Sequence, residues 1–513
     1  MAEPLVLRDY QEKAVAYLAS KGGGLLADDM GLGKTLVGVE LIRRLRARRV
    51  LIVAPISTHV SWERTLKRQF PSLANNGLLH RVGTLTKDPK GWVRMQHDDM
   101  GVFIIGWEAM RGAGIAKNKL PELNVPGTPQ VKTPRSKNTS SGTDEFDIRN
   151  VWKSFSSFNL VIADEVHQIQ DKGSKNSLVL KSIKAVCRLG ISATPSGGHP
   201  KGIWSVLNWL WKERYGGFWK WAAENLVIEP QIIAGRTVRK LGPEIYPGST
   251  WNGIPAAVRR KAEDVLGELP PVVTHYVHVG MTPKQEKVYR DFERRALATL
   301  EGTPVLTPLP VEQRIRLRGA ALGEMRAEFH PDPQPHDPDK VRVETFFLNS
   351  SKNIKITKAV EIITEIKERL GSTEPVLVLT HSSKFAELAN ERFSELWNSA
   401  LWTGAVSSKN REGILEKFGT SSGPSVLVCS IAAVGQGTDG LQRVCANEIW
   451  LSQADSMMLN TQATGRLHRQ GQARVVNRYY VHTEGTIDHK VYESNGEKAA
   501  TMRDFYNDEQ PGG

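Results

Sequence analysis

The stretch Gly24-Leu25-Leu26-Ala27-Asp28-Asp29-Met30-Gly31-Leu32-Gly33-Lys34-Thr35 decides how the chain is read. Four residues with strand character, Gly24 to Ala27, run into a glycine-rich turn, and a helical pattern from Thr35 to Arg49 follows. A turn of this kind between a strand and a helix lets backbone N–H groups close around phosphates. In that reading Lys34 reaches the β- and γ-phosphates and the Thr35 hydroxyl ligates Mg²⁺. The general motif has glycine where this chain has Asp28; Gly31, Gly33, Lys34 and Thr35 retain the chemistry.

Outward from the turn, Val50 to Ala54, Val102 to Ile105 and Leu160 to Ala163 are apolar throughout, as strands buried on both faces of a parallel sheet are. Helical patterns separate them, which predicts α/β. The same texture returns in Val376 to Leu379, Val426 to Cys429 and Glu448 to Leu451. The expected division is an N-terminal unit over 1–230, a helical insertion or linker over 231–344, a C-terminal unit over 345–495 and a tail over 496–513, frayed after about 503. In the insertion, Thr282-Pro283-Lys284-Gln285 has the form of a capping box with proline at the first helical position. Residues 112–150 and 329–341 are rich in proline and polar residues and read as mobile insertions.

The composition narrows the function. Lys plus Arg number 68 against 55 Asp plus Glu, a net charge of +13, which favours a polyanionic partner. The three cysteines are too few and too scattered for a disulfide framework or a zinc cluster. No apolar run is long enough to cross a bilayer, and the N-terminus does not read as a secretory signal. A cytoplasmic protein of a bacterial or phage-infected cell is expected, or a nuclear one if eukaryotic.

Two further stretches carry chemistry. Leu160 to Ala163 ends in Asp164-Glu165-Val166-His167. A carboxylate at the carboxyl end of a parallel strand can hold Mg²⁺ against a P-loop, so Asp164 is the metal candidate. Glu165 is placed to orient and deprotonate an attacking water. The second stretch is Gln462-Ala463-Thr464-Gly465-Arg466-Leu467-His468-Arg469-Gln470-Gly471-Gln472. On a helix, Arg466 and Arg469 would project from one face and could stabilise transition-state charge as arginine fingers do.

Together these residues resemble motifs I, II and VI of superfamily-two helicases, and the string from Asp28 to Thr35 is similar to the Swi/Snf-type DNA translocases. The resemblance implies two RecA-like lobes of the P-loop NTPase class, with ATP and Mg²⁺ as cofactors. Leu7-Arg8-Asp9-Tyr10-Gln11 resembles the family's adenine-reading motif, which implies Arg8 and Gln11 in nucleotide binding beside Asp29, Gly31, Leu32, Gly33, Lys34 and Thr35. Pro55-Ile56-Ser57 with Trp62-Glu63 resembles motif Ia, and Ser192-Ala193-Thr194-Pro195 motif III. By the same resemblance Pro55, Ser57, Thr194, Thr380, His381 and Ser430 are implied DNA contacts, and His167, Ser192 and Gln462 coupling residues. Residues 430–441 resemble motif V, with Gly437 and Asp439 implied at the nucleotide; Val434 and Asp439 depart from the usual glycine and asparagine. Ser350-Ser351-Lys352 and Gly485-Thr486-Ile487-Asp488 match further landmarks.

After Thr194-Pro195 the usual I-Q-N is replaced by Ser196-Gly197-Gly198, which leans toward the branch of fork-remodelling annealing translocases. The implied activity is a DNA-dependent ATPase that walks on duplex or forked DNA through backbone contacts, with little sequence specificity. The alternatives are a strand-separating DNA or RNA helicase and a non-catalytic DNA- or polymerase-binding adaptor. Trp204, Trp209, Trp211, Trp219 and Trp221 read as core packing in preference to base stacking. Arg43 to Arg49 read as a solvated helix end.

Overall fold

An uninterrupted apolar strand has no solvated face to offer, so Val50 to Ala54 and its counterparts require cover on both sides. The computed structural model describes residues 3–112, 148–233, 236–267, 269–295, 297–300, 303–306, 310–331, 341–348, 350–435 and 440–506. It forms two units, residues 1–267 with 499–513, and residues 268–498.

The first unit carries β1 (Gly23–Leu26), β2 (Arg49–Ala54), β3 (Leu79–Val82), β4 (Gly101–Gly106), β5 (Phe158–Asp164) and β6 (Ala185–Ile191). A hairpin of β7 (Leu226–Ile233) and β8 (Arg236–Glu244) follows, then the short β9 (Ala257–Val258). The sheet order is β3-β4-β2-β5-β6-β1-β9, and every pairing is parallel. Helices α1 (Asp9–Ser20), α2 (Lys34–Arg44) and α3 (His59–Gln69) pack on it through Val15, Leu18, Val37, Leu41, Trp62 and Leu66.

The helix expected to run to Arg49 stops at Arg44. Arg46 takes φ 52° and reverses the chain, with Ala47 N donating to Ile42 O at 3.1 Å. Arg43 and Arg44 are helix-end cations paired with Glu40 and Glu12, as a solvated end requires. Arg49 instead opens β2 and is buried, donating to Ser156 O and Met95 O at 2.7 Å each.

The second unit carries β10 (Val272–Val279), the hairpins β11 (Leu297–Leu300) with β12 (Thr303–Leu306) and β13 (Met325–Pro331) with β14 (Val341–Phe347), then β15 (Val376–Thr380), β16 (Ser399–Trp402), β17 (Val426–Ser430), β18 (Asn447–Trp450) and β19 (Val476–Thr483). Its main sheet, β10-β19-β18-β15-β17-β16, is parallel throughout. Strand periodicity splits the core in two. Val376, Val378, Val426, Val428 and Ile449 fill one face, and Leu377, Leu379, Leu427, Cys429 and Trp450 the other. Each unit is thus built on a parallel α/β sheet.

The capping box forms as expected: Gln285 N donates to Thr282 Oγ1 at 3.1 Å and Thr282 N to Gln285 Oε1 at 3.4 Å, opening the helix Pro283–Arg295. Residues 231–344 nevertheless hold strands β8 to β13 and part of β14 besides their helices. Of the two insertions, 113–147 and 332–340 lie outside the described residues, whereas 148–150 are helical and 329–331 with 341 are strand. The expected frayed tail is helical as far as Tyr506, because Phe505 and Tyr506 are buried against the first unit, where Tyr506 meets Trp251 at 4.9 Å; residues 507–513 lie outside the described residues.

Candidate nucleotide site

β1 ends at Leu26, and the chain must turn before α2 can start at Lys34. Gly31 and Gly33 make the turn at φ 81° and 73°, a region glycine enters without penalty. Gly33 is the N-cap of α2, so the first free N–H groups of the helix open toward the loop and favour an anion. A Cβ on Gly33 would lie 2.4 Å from Gln11 Nε2. Inside the loop Lys34 Nζ donates to Asp28 O at 2.9 Å and Asp29 O at 2.8 Å. Burial pulls the Lys34 ammonium below the usual lysine range, and the carboxylates of Glu165, Asp28, Asp29 and Asp164 act against that.

The register brings the second acidic group to the same level. Leu26 and Asp164 both pair with Ile191, from opposite sides of β6. They stand two strands apart, roughly 10 Å. Asp164 Oδ2 accepts from Trp62 Nε1 at 2.8 Å and Thr58 Oγ1 at 3.3 Å, and Oδ1 from Glu165 N at 3.1 Å. Burial first, then the Glu165 charge, raises Asp164 to about 6. A buried hard-oxygen donor strained by a second carboxylate fits a divalent cation such as Mg²⁺, which is held by one or two carboxylates plus phosphate oxygens. Thr35, the second residue of α2, adds a hydroxyl donor.

Glu165 sits at φ 53°, unusual for a side chain of its size. Its Oε2 lies 3.1 Å from His167 Nδ1 and accepts from Ser192 Oγ at 3.3 Å. Ser192 Oγ is also 3.0 Å from His167 Nδ1 and accepts from Thr194 N at 3.2 Å. Two of the three residues implied in coupling, His167 and Ser192, therefore meet at one carboxylate.

Gln11, the expected base contact, reaches the loop from α1: its Nε2 donates to Leu32 O at 3.0 Å and its Oε1 accepts from Arg8 N at 3.0 Å. Pro55 and Ser57 occupy the turn after β2, where Ile56 is exposed. Sequence reasoning missed Thr58, a direct partner of Asp164, and Arg260, whose Nε donates to Asp28 Oδ1 at 3.0 Å. The signal for Arg260 was Asp28 itself, since an acid at a glycine position next to a lysine needs a second cation.

In the second unit Thr380 ends β15 and His381 follows it, and both meet Ser452 Oγ, at 3.0 and 2.7 Å. Burial and the neighbouring Arg318 and Lys355 charges push His381 down to about 3, so its ring is neutral. Ser430 ends β17 and is buried. Gln462 is buried in the helix Met457–Thr464, with its Oε1 3.3 Å from where a Gly435 Cβ would stand. That helix stops before the arginines, contrary to expectation. Gly465 caps it, and Arg466 N donates to Ala463 O at 3.1 Å and His468 N to Thr464 O at 3.3 Å in successive turns. Arg466 Nη2 donates to Gly435 O. Gly437 and Asp439 lie outside the described residues.

The model of the SNF2-related domain matches residues 10–307, more than half of the chain. The chain belongs to the SNF2-related family. Among relatives, the ISWI chromatin-remodeling complex ATPase ISW2 of Saccharomyces cerevisiae is 25% identical over 96% of this SNF2-related chain and 40% of its own length. The SWI/SNF-related matrix-associated actin-dependent regulator of chromatin subfamily A member 1 of Mus musculus is 24% identical over 95% of the chain and 42% of its own. The chain thus spans about two fifths of these relatives' length. A solved Sulfolobus solfataricus SWI2/SNF2 ATPase core in complex with dsDNA aligns over 98% of this chain and 97% of that one, at 16% identity and a TM-score of 0.39. Among the described residues of the SNF2-related chain no helix is long and apolar enough to cross a membrane.

Proposed function

We propose that this SNF2-related chain hydrolyses ATP when bound to duplex DNA and uses the reaction to move along it. The observation that carries the reading is the convergence at one end of the first sheet. A lysine ammonium lies in a left-handed glycine turn, and its charge is felt by Asp164 and Glu165 from the strand end two places away. Lys34 and the N-terminus of α2 would bind the phosphates. Asp164 and Thr35 would hold Mg²⁺, whose charge would neutralise phosphate oxygens. Glu165, steadied by Ser192 and His167, would orient the attacking water and take its proton. Ser192 carries Thr194 through a backbone bond, so a change at Glu165 reaches a residue implied in DNA contact. Arg466 and Arg469 belong to the proposal as the groups that stabilise charge on the transferred phosphate. The basic composition suits a partner gripped by its phosphates.

The test is ATP hydrolysis with and without duplex DNA. Lys34→Ala, Glu165→Gln and Arg466→Ala, each shown folded by circular dichroism, should lose DNA-stimulated turnover. Normal turnover in Lys34→Ala or Glu165→Gln overturns the site. Triplex displacement without strand separation is the expected motor output; strand separation would make the chain an unwinding helicase.

A further inference from the structure

The buried acid in the glycine turn has a dedicated partner that no motif named. Asp28 has no exposed surface, and its carboxylate meets Arg260 at both oxygens: Nε to Oδ1 at 3.0 Å, and Nη2 to Oδ2. The same guanidinium donates to Tyr10 O and lies 4.9 Å from the Tyr10 ring. Tyr10 in turn donates from its hydroxyl to Leu32 O at 3.2 Å, on the far side of the turn. Two backbone bonds and one to a side chain align the arginine: Ala27 N donates to Val258 O at 2.7 Å, Asp29 N to Arg260 O at 3.0 Å, and Ala262 N to the Asp29 carboxylate Oδ2 at 3.1 Å. Residues 257–262 thus run beside β1 as β9 and continue along the turn.

We infer that Arg260 is a positioning residue for the nucleotide site: by neutralising Asp28 and tying it to Tyr10, it keeps the Lys34 ammonium available for phosphate. The inference rests on the nucleotide-site reading above. Without Arg260, a buried carboxylate would stand unpaired beside Lys34. Burial pushes the Asp28 carboxyl up, the Arg260 hydrogen bond and charge pull it down, and Lys34 is the next cation acting on it. Lys34 would take over as counter-ion, and the incoming phosphate would have to compete with Asp28 for it. Glycine at position 28, as in the general phosphate loop, removes that need together with the carboxylate.

The experiment compares wild type, Lys34→Ala, Arg260→Met and the Asp28→Gly/Arg260→Met double variant, measuring KM for ATP, kcat at saturation and binding of a fluorescent ATP analogue. Arg260→Met should raise KM and weaken the analogue by at least about tenfold, since breaking a buried pair strands its partner. Its kcat at saturating ATP should stay within about threefold of wild type, as expected when the loss is in binding alone. Adding Asp28→Gly should bring KM back to within about threefold of wild type, the rescue that a coupled pair predicts and a general packing loss does not. Nucleotide affinity in folded Arg260→Met equal to wild type overturns the inference, and so does a double variant as weak as the single one. If Arg260→Met does not fold, the double variant decides: folded with near-normal affinity supports the pairing, while weak binding or failure to fold overturns it. Lys34→Ala separates the two levels. If it binds the analogue normally, the nucleotide site itself is misread; if it loses binding while Arg260→Met keeps it, only the role of Arg260 falls.

Discussion

Replacing Asp164 by asparagine should make the protein more stable and inactive at once. The carboxyl rises from 3.8 to about 6 through burial and the Glu165 charge, so ionising it in the folded state is unfavourable. A shift of roughly 2 units at 1.36 kcal/mol each amounts to about 3 kcal/mol. The sign follows from proton binding. Between about pH 4 and 6 the folded chain holds this proton more tightly than the unfolded one, so the carboxylate's contribution to stability falls as pH rises and the loss is complete above pH 6. Asparagine carries no such charge. It can still accept from Trp62, but its amide group cannot satisfy every donor now facing the carboxylate, a loss of about 1 kcal/mol. The net gain at pH 7.5 is about 2 kcal/mol, or roughly 4–8 °C in Tm for a unit of this size. Scanning calorimetry in chelator, without nucleotide, should show that gain at pH 7.5 and almost none at pH 4. Equal gains at both pH values, or none at pH 7.5, would refute the charge argument.

Gly33→Ala should raise KM for ATP with the fold intact by circular dichroism, because alanine at φ 73° costs about 1–2 kcal/mol and its Cβ displaces Gln11. Trp62→Phe removes a donor that lowers the Asp164 carboxyl, so that carboxyl rises further. A charge-assisted bond of about 1.5–3 kcal/mol should move the acid limb of the ATPase pH profile up by about 1–2 units. Lys355→Met should destabilise the second unit by about 3–5 kcal/mol in denaturant titration. The ammonium is buried, donates to Leu451 O at 2.6 Å and Val481 O at 2.9 Å, and is the counter-ion of Asp488 at 2.5 Å.

The strands that carry the chemistry were legible because their composition allows little else. Val50 to Ala54 and Val376 to Leu379 are buried along their whole length, and a segment without a polar residue announces that. That Lys34, Asp164 and Glu165 share one end of the first sheet was legible for a related reason: the first opens the helix after β1, the second ends β5 and the third follows it, where a parallel sheet gathers its polar groups. β10 was harder to read. His275, Tyr276 and His278 break its apolar pattern, and Tyr276 is half exposed on an edge strand, so its partner β19 could not be inferred from spacing. The helix expected through Arg466 stops earlier, at Thr464 with Gly465 as its cap, and the arginines follow in successive turns that a helical period does not register. Arg260 stayed hidden because it is 232 residues from Asp28, and pairing at that separation leaves no local period.

The helix Ile487–Tyr506 begins in one unit and contributes its final turns to the other. Ser196, just after motif III, is buried beneath Met502 and Tyr506, and Arg259 stacks on the Tyr506 ring at 4.0 Å. Residues 499–506 are synthesised after all of the second unit. During translation the first unit therefore waits with an uncovered aromatic seat around Trp251, and a nascent chain stalled at residue 498 would present that seat to chaperones.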